Sequence, residues 1–400
     1  MTTTEEPTDA AGRLEWLSST AELLWPGSGG IRLSSGDPAF WLLPNANQPR
    51  LLVPSGSRRA AAAAVRHYGE QLTLKGRVKT AGLAAALRTG AAQRLLAAGV
   101  SLGEGNPTDG VAAYLSEQLG RPVLVSLHLS PPRANRKPVL QLLSPDGEVI
   151  AFAKVGVDER TAALVLREGV ALRRLNGVEF TTVRVPPVLH HDSWNGLEIL
   201  VLGALPVWGR RESAPGRLRQ AIREISQVVP AVDEPLSASS YLADLQARLA
   251  SCPSSTALTS LEDLLRRLVR QAGASRLSFG AWHGDFTPWN SAPVGGQLLV
   301  WDWERFAGPV PIGYDALHYG LQSAAVQQAL PLPQAALRCI EQAEGTLTEY
   351  GVEATILIAA LYLVELGTRY LGDEQAAAGG HGGRIEEWLV PALATAVAEL

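Results

Sequence analysis

One stretch of the chain holds a dense set of groups able to do chemistry. It reads Ala281-Trp282-His283-Gly284-Asp285-Phe286-Thr287-Pro288-Trp289-Asn290, then Ser291–Val300, then Trp301-Asp302-Trp303-Glu304-Arg305-Phe306. Gly295-Gly296 is a two-residue hairpin signal. Pairing outward from it sets 294 against 297, 290 against 301 and 289 against 302. Asn290 and Asp302 are therefore expected side by side at the open end of one hairpin. Strand alternation would put Asp302 and Glu304 on one face, with Trp301 and Trp303 on the other. A hard cation such as Mg²⁺ takes oxygen ligands and few protein contacts, with phosphates supplying the rest. An amide oxygen beside a carboxylate is such a half-site. Asp285, on a loop stiffened by Pro288, is a second carboxylate. Held off the metal, it can accept a proton from an attacking hydroxyl. Positioning, charge neutralisation and a base are what phosphoryl transfer needs.

Phosphoryl transfer also needs a cation on the nucleotide phosphates. Of the 35 basic residues only four are lysine: Lys75, Lys79, Lys137 and Lys154. Lys154 ends the strand pattern Ala151-Phe152-Ala153-Lys154, where a compact ammonium suits a place that a forked guanidinium would not. Such a lysine must be held, and Glu168 follows 14 residues on, one helical turn from Leu164 and Leu172.

These groups need elements to carry them. Residues 1–36 are polar and Gly/Ser-rich and are expected to be loosely structured. A hairpin pattern surrounds Pro44–Pro49, with helices near 57–68, 81–98 and 108–119. From residue 121 the pattern becomes strands, at 123–129, 139–143, 149–155, 183–189 and 197–202, with one inserted helix after Asp158. The helix pattern includes Leu164, Val165, Val170, Leu172 and Leu175. Beyond Pro206 the chain is helical apart from the chemical island at 279–311. The expected organisation is α+β: an N-terminal cap region over 1–120, a sheet lobe over 121–205 and a helical lobe over 206–400.

The pattern His283-Gly284-Asp285 through Asn290 resembles the H-G-D-x-x-x-x-N loop of the aminoglycoside phosphotransferase and choline kinase superfamily of protein-kinase-like phosphotransferases. Trp301-Asp302-Trp303-Glu304 matches that family's metal motif, and Lys154 with Glu168 matches its strand lysine and helix glutamate. The resemblance covers about residues 121–400. It implies a small antiparallel-sheet lobe on a larger helical lobe with ATP in the cleft. It also implies Asp285 as catalytic base and Asn290 and Asp302 as Mg²⁺ ligands, with Glu304 beside them. Lys154 would contact the nucleotide phosphates and Glu168 would orient it. Leu202-Gly203-Ala204 would be a hinge whose main-chain groups are free for adenine, with Gly203 at its centre. The loop between the first two strands of the lobe departs from the glycine-rich expectation. Its Arg133, Arg136 and Lys137 either replace backbone amides with side-chain cations or merely solvate a loop.

His283 reads as a prop for the loop backbone, and Asp315 as a residue that props the catalytic loop or caps its helix. His190-His191-Asp192 reads as an exposed turn. Four of the ten tryptophans fall in the island and read mainly as core.

Composition narrows the classes further. With 18% charged and 46% hydrophobic residues, the chain is not expected to be disordered. A net charge of −4 argues against general nucleic-acid binding. No signal peptide is read at the N-terminus, and no apolar run reaches the length of a membrane span. The run around Ile356–Val364 reads as a buried helix. Two cysteines suit a reducing cytoplasm. No G-x-S-x-G, H-E-x-x-H or P-loop pattern is present. A glycosidase pairing of Asp285 with Glu304 would leave Lys154, Glu168 and Asn290 unexplained.

The leading expectation is a cytoplasmic ATP- and Mg²⁺-dependent kinase for a hydroxyl on a small molecule: a sugar, aminosugar, amino alcohol or similar metabolite. No nucleic-acid or membrane partner is expected, and the oligomeric state is left open. A pseudokinase-like binding subunit and a peptide kinase are the alternatives. Against the peptide kinase stands the short spacing of 12 residues between Asp302 and Asp315.

Overall fold

Alternating apolar residues downstream of 121 form strands at four of the five expected places, whereas the run expected at 183–189 splits into Val183–Arg184 and Val188–Trp194, which join different sheets; the strands before residue 121 join the larger of these. The computed structural model describes residues 7–34, 38–67, 74–91, 98–103, 110–130, 134–209, 212, 215–377 and 382–400. The chain divides into two units. The first takes Met1–Gly169 and Pro186–Leu205; the second takes Val170–Val185 and Pro206–Leu400.

Unit 1 is built on a nine-stranded antiparallel sheet. Its strands are β1 (Ile31–Ser34), β2 (Phe40–Leu43), β3 (Leu51–Pro54), β4 (Gly99–Leu102), β5 (Leu124–His128), β6 (Val139–Leu143) and β7 (Val149–Gly156). After a short strand of unit 2, β8 (Val183–Arg184), come β9 (Val188–Trp194) and β10 (Leu197–Gly203). The spatial order is β1-β4-β2-β3-β5-β6-β7-β10-β9. The region expected as a separate cap therefore supplies four of the nine strands. The physical join is β3 against β5, with Leu51 opposite His128 and Leu52 opposite Leu127.

The period-2 pattern decides what each sheet face buries. Val125, Leu127, Leu140, Leu142, Ala151 and Ala153 point into a core shared with α1 (Pro7–Leu24). Leu43, Leu51, Val53 and Leu143 point the other way, into a core with α2 (Arg58–Arg66) and residues Ala84 and Leu87 of α3 (Leu74–Thr89). The loose N-terminus expected over 1–36 is thus partly ordered. Leu17, Ala21 and Leu24 of α1 have no exposed surface at all. Helix α4 (Val111–Gln118) and α5 (Glu159–Leu175) complete the helices up to the switch point, which falls within α5. In α5 Leu164, Val165, Leu172 and Leu175 are buried as expected, but Val170 is exposed.

Unit 2 is mainly helical. Its helices are α6 (Pro215–Ser226), α7 (Ser240–Ala250), α8 (Thr256–Ala272), α9 (Tyr314–Gln322), α10 (Leu332–Glu341), α11 (Ala343–Leu347), α12 (Thr355–Gly372) and α13 (Leu389–Ala398). Helix α12 is long and apolar enough, by length and composition, to cross a membrane, whereas no such run was expected. It is instead the centre of the helical core, buried from Leu357 through Thr368. A π-helical turn, Ser323–Gln327, continues α9.

The island at 279–311 is richer in strands than expected. β11 (Val232–Pro235), β12 (Arg276–Trp282) and β15 (Ala307–Pro311) form one small sheet, and β13 (Ser291–Val294) pairs with β14 (Gln297–Val300) beside β8 in another.

Candidate active site

In unit 1, β7 alternates as its pattern requires. Ala151, Ala153 and Val155 are fully buried, while Lys154 points to the opposite face, where α5 offers Glu168. The ammonium donates to both carboxylate oxygens, at 2.7 and 2.6 Å. Glu168 is completely buried and Lys154 keeps 12% of its side chain exposed. A buried carboxylate is held by a charge partner with good geometry, which is the arrangement such a group needs.

At the expected hinge two main-chain N–H groups are engaged within the sheet. The Gly203 N–H donates to the Pro187 carbonyl at 2.8 Å, and the Ala204 N–H to the Ile150 carbonyl at 3.4 Å. The Ala204 bond follows from β10 keeping its pairing with β7 through Gly203, opposite Ala151, whereas the Gly203 bond goes to the other side, to the residue before β9. Glycine is needed at 203 for another reason: a Cβ there would fall 2.7 Å from the Pro187 ring. Arg133 lies outside the described residues. Arg136 sits over the Trp16 ring at 3.8 Å, so its guanidinium packs on α1 rather than standing ready for phosphate. Lys137 is half-buried just before β6. His190-His191-Asp192 is not a turn but part of β9. His190 meets the Tyr114 hydroxyl at 2.8 Å and His191 meets Glu198 at 2.8 Å.

In unit 2 the site is built on the end of β12. Gly284 has φ +83°, and a Cβ there would lie 2.3 Å from the Arg305 carbonyl oxygen. Only glycine fits that turn. Asp315, at the first turn of α9, accepts the main-chain N–H groups of His283 at 2.7 Å and Gly284 at 3.2 Å. It props the loop, as read from its position. His283 is a prop too. Its Nδ1 accepts the Asp285 N–H at 3.1 Å, so Nε2 carries the proton and donates to the Trp301 carbonyl at 3.0 Å. Burial pushes this imidazole down to about 4, which keeps it neutral.

Asp285 keeps 32% of its side chain exposed. Its Oδ1 lies 3.1 Å from His318 Nε2, and its Oδ2 accepts from Asn290 Nδ2 at 2.9 Å. Burial alone would raise this carboxyl. The His318 hydrogen bond, with the Arg369 guanidinium, outweighs that and holds it down at about 2. The group is an ionised carboxylate with one accessible side.

Asn290 also donates from Nδ2 to the Asp285 carbonyl, at 3.0 Å. Both bonds use the amide nitrogen, so the orientation of the amide oxygen is set by them. The hairpin has the expected register, 294 against 297 and 291 against 300, and Trp301 N–H donates to the Asn290 carbonyl at 3.1 Å. Beyond that point the strand expectation fails. Asp302 turns into the left-handed region, φ 71° and ψ 55°, and Trp303–Arg305 form a 3₁₀ turn. Side chains therefore do not alternate faces: Trp303 and Glu304 are both buried. Asp302 and Glu304 nonetheless bring carboxylate oxygens within 4.8 Å of one another. Non-glycine residues in this backbone region cluster at functional sites. Of the island tryptophans, Trp282 and Trp303 are core, whereas Trp289 and Trp301 are half-buried.

The sequence reading missed His318, Tyr362 and Arg369. Arg369 Nη1 donates to the Gly284 carbonyl at 2.5 Å. One signal was present: His318 stands three residues after Asp315, hence on the same side of a helix.

No protein-family model and no curated protein matches the chain. Among solved structures it is similar to the apo form of a thermostable mutant of the aminoglycoside phosphotransferase APH(4)-Ia. The identity is 14%, over 72% of this chain and 99% of that one, with a TM-score of 0.48. It is similar to a choline/ethanolamine kinase family protein from Mesorhizobium loti at 15% identity, over 66% of this chain and 85% of the other, TM-score 0.40. It is also similar to the amicoumacin kinase hAmiN in complex with AMP-PNP, Ca²⁺ and Ami, at 16% identity, over 66% and 86%, TM-score 0.42.

Proposed function

We propose that this protein is a phosphotransferase that uses ATP and Mg²⁺ to phosphorylate a hydroxyl on a small molecule, such as a sugar, aminosugar or amino alcohol. The observation that carries the reading is the state of Asp285: an ionised, partly exposed carboxylate, locked by Asn290 and His318 on a loop that Asp315 props. Asp285 would take the acceptor's proton late, as the acceptor oxygen bonds the transferred phosphorus and the bond to the leaving ADP oxygen breaks.

Asn290, Asp302 and Glu304 would hold Mg²⁺. The donor set fits a hard cation, since it consists of one amide oxygen and two carboxylates, with the two carboxylates within 4.8 Å. When bound, the metal neutralises charge on the transferring group. Lys154 would hold nucleotide phosphates, with Glu168 fixing its ammonium and Lys137 a further cation. The short spacing between Asp302 and Asp315 supports a small acceptor rather than a peptide. A cytoplasmic setting belongs to the same reading, supported by two free, buried cysteines.

The test is Asp285→Asn, assayed with ATP, Mg²⁺ and a panel of sugars and amino alcohols. Loss of a general base should cut turnover by about 10²–10⁴-fold, with ATP affinity little changed. A variant that turns over like the wild type would overturn the reading.

A further inference from the structure

Asp285 is gripped more tightly than a proton acceptor alone requires. His318 of α9 and Tyr362 of α12 are both fully buried. His318 Nε2 faces Asp285 Oδ1 at 3.1 Å, and its Nδ1 faces the Tyr362 hydroxyl at 2.9 Å. An ionised carboxylate can only accept, so the proton of His318 is on Nε2. Nδ1 must then accept, and the Tyr362 O–H donates. The three groups form a one-way chain from Tyr362 through His318 to Asp285, which admits a single imidazole tautomer. Asn290 fixes the other carboxylate oxygen, and Arg369 ties down the Gly284 carbonyl next to it.

We infer that His318 is a positioning residue that sets the rotamer of the Asp285 carboxylate, with Tyr362 selecting its tautomer. The inference rests on Asp285 being the base. It adds that the base works only in one orientation, imposed from the helical core. A small misplacement of a reacting group costs about 10²-fold in rate. His318 can take no proton from Asp285 at Nε2, which already carries one, so it acts by geometry and not as a relay.

Replacing His318 by Leu should lower kcat about 10²-fold with KM for ATP and acceptor little changed. His318→Gln places an amide N–H near the Nε2 position and should recover most of that loss. In an Asp285→Asn background, His318→Leu should cost nothing more, because its effect passes through Asp285. A readout independent of turnover is the histidine ¹⁵N spectrum of the whole protein, with His318 assigned from its Gln variant. It should show a neutral Nε2–H tautomer. Losses that simply add in the double variant, or an Nδ1–H tautomer, overturn the inference. If Asp285→Asn is slow while His318→Leu keeps full turnover, only the inference fails. If Asp285→Asn itself turns over like the wild type, both readings fail together.

Discussion

Asp315 and His283 are joined across 32 residues by a buried bond, the His283 N–H donating to Asp315 Oδ2 at 2.7 Å. The second Asp315 oxygen takes the Gly284 N–H. One carboxylate thus satisfies two consecutive amides of a turn that has no sheet or helix partner to offer them, which buried amides require.

That arrangement has a pH signature. Burial pushes the Asp315 carboxyl up to about 7, against the pull of its two N–H bonds. An acid with a raised folded pKa binds more protons folded than unfolded. Its stabilising contribution is present below about pH 4 and is lost as the pH rises towards 7. Asp285 runs the other way. Held at about 2, its contribution is present above about pH 4 and is lost as the pH falls towards 2. Urea midpoints measured against pH should show Asp315→Asn removing a downward slope between about pH 4 and 7 while leaving the acid-side loss. Identical slopes in wild type and variant across that range would count against this assignment.

The Lys154–Glu168 pair separates stability from catalysis. Lys154→Ala strands a fully buried carboxylate and should cost about 3–5 kcal/mol in urea unfolding. Lys154→Arg keeps the charge but replaces a point donor with a planar fork. It should lose less stability than Lys154→Ala and still turn over slowly. Full activity in Lys154→Arg would show that the ammonium has no role on phosphate.

Metal dependence is expected to sit on Asp302. Calorimetry with ATP should show tighter binding in the presence of Mg²⁺ for the wild type and little Mg²⁺ effect for Asp302→Ala. Equal wild-type affinity with and without Mg²⁺ would remove the metal half-site from the mechanism.

Gly284→Ala tests the turn itself. The added Cβ would meet the Arg305 carbonyl at 2.3 Å, and the backbone there has φ +83°. Strained backbone of this kind costs about 1–3 kcal/mol before the clash is counted. A lower melting temperature, with turnover falling further than stability, is the expected result. An unchanged melting curve would mean the loop is free to move aside.

Much of the site could be read from local signals. Gly295-Gly296 set the hairpin register, and the motif spacing puts Asn290 five residues after Asp285, where the two side chains bond at 2.9 Å. The Asp302 backbone could not be read this way, because alternation holds only while the strand continues, and here it ends at Val300. His318 and Arg369 come from helices 33 and 85 residues away from their loop partners, so only tertiary packing brings them in. The N-terminal helix was missed for a different reason. Leu14, Leu17, Ala21 and Leu24 have helical spacing, but the polar residues around them mask it. Strands of four residues, such as β1 and β4, carry too little pattern to be recognised alone.

The chain passes from the first unit to the second within α5, returns at Pro186, and leaves again after Leu205. Neither unit is an uninterrupted piece of polypeptide, so no single peptide-bond break can release one intact. During synthesis β7 must wait for β10, which emerges only after residues 170–185 of the other unit are already made. Until then β7 presents an unpaired edge, the kind of surface that recruits a second chain. The order of translation therefore leaves this edge of β7 open to mispairing for as long as residues 157–196 are being made.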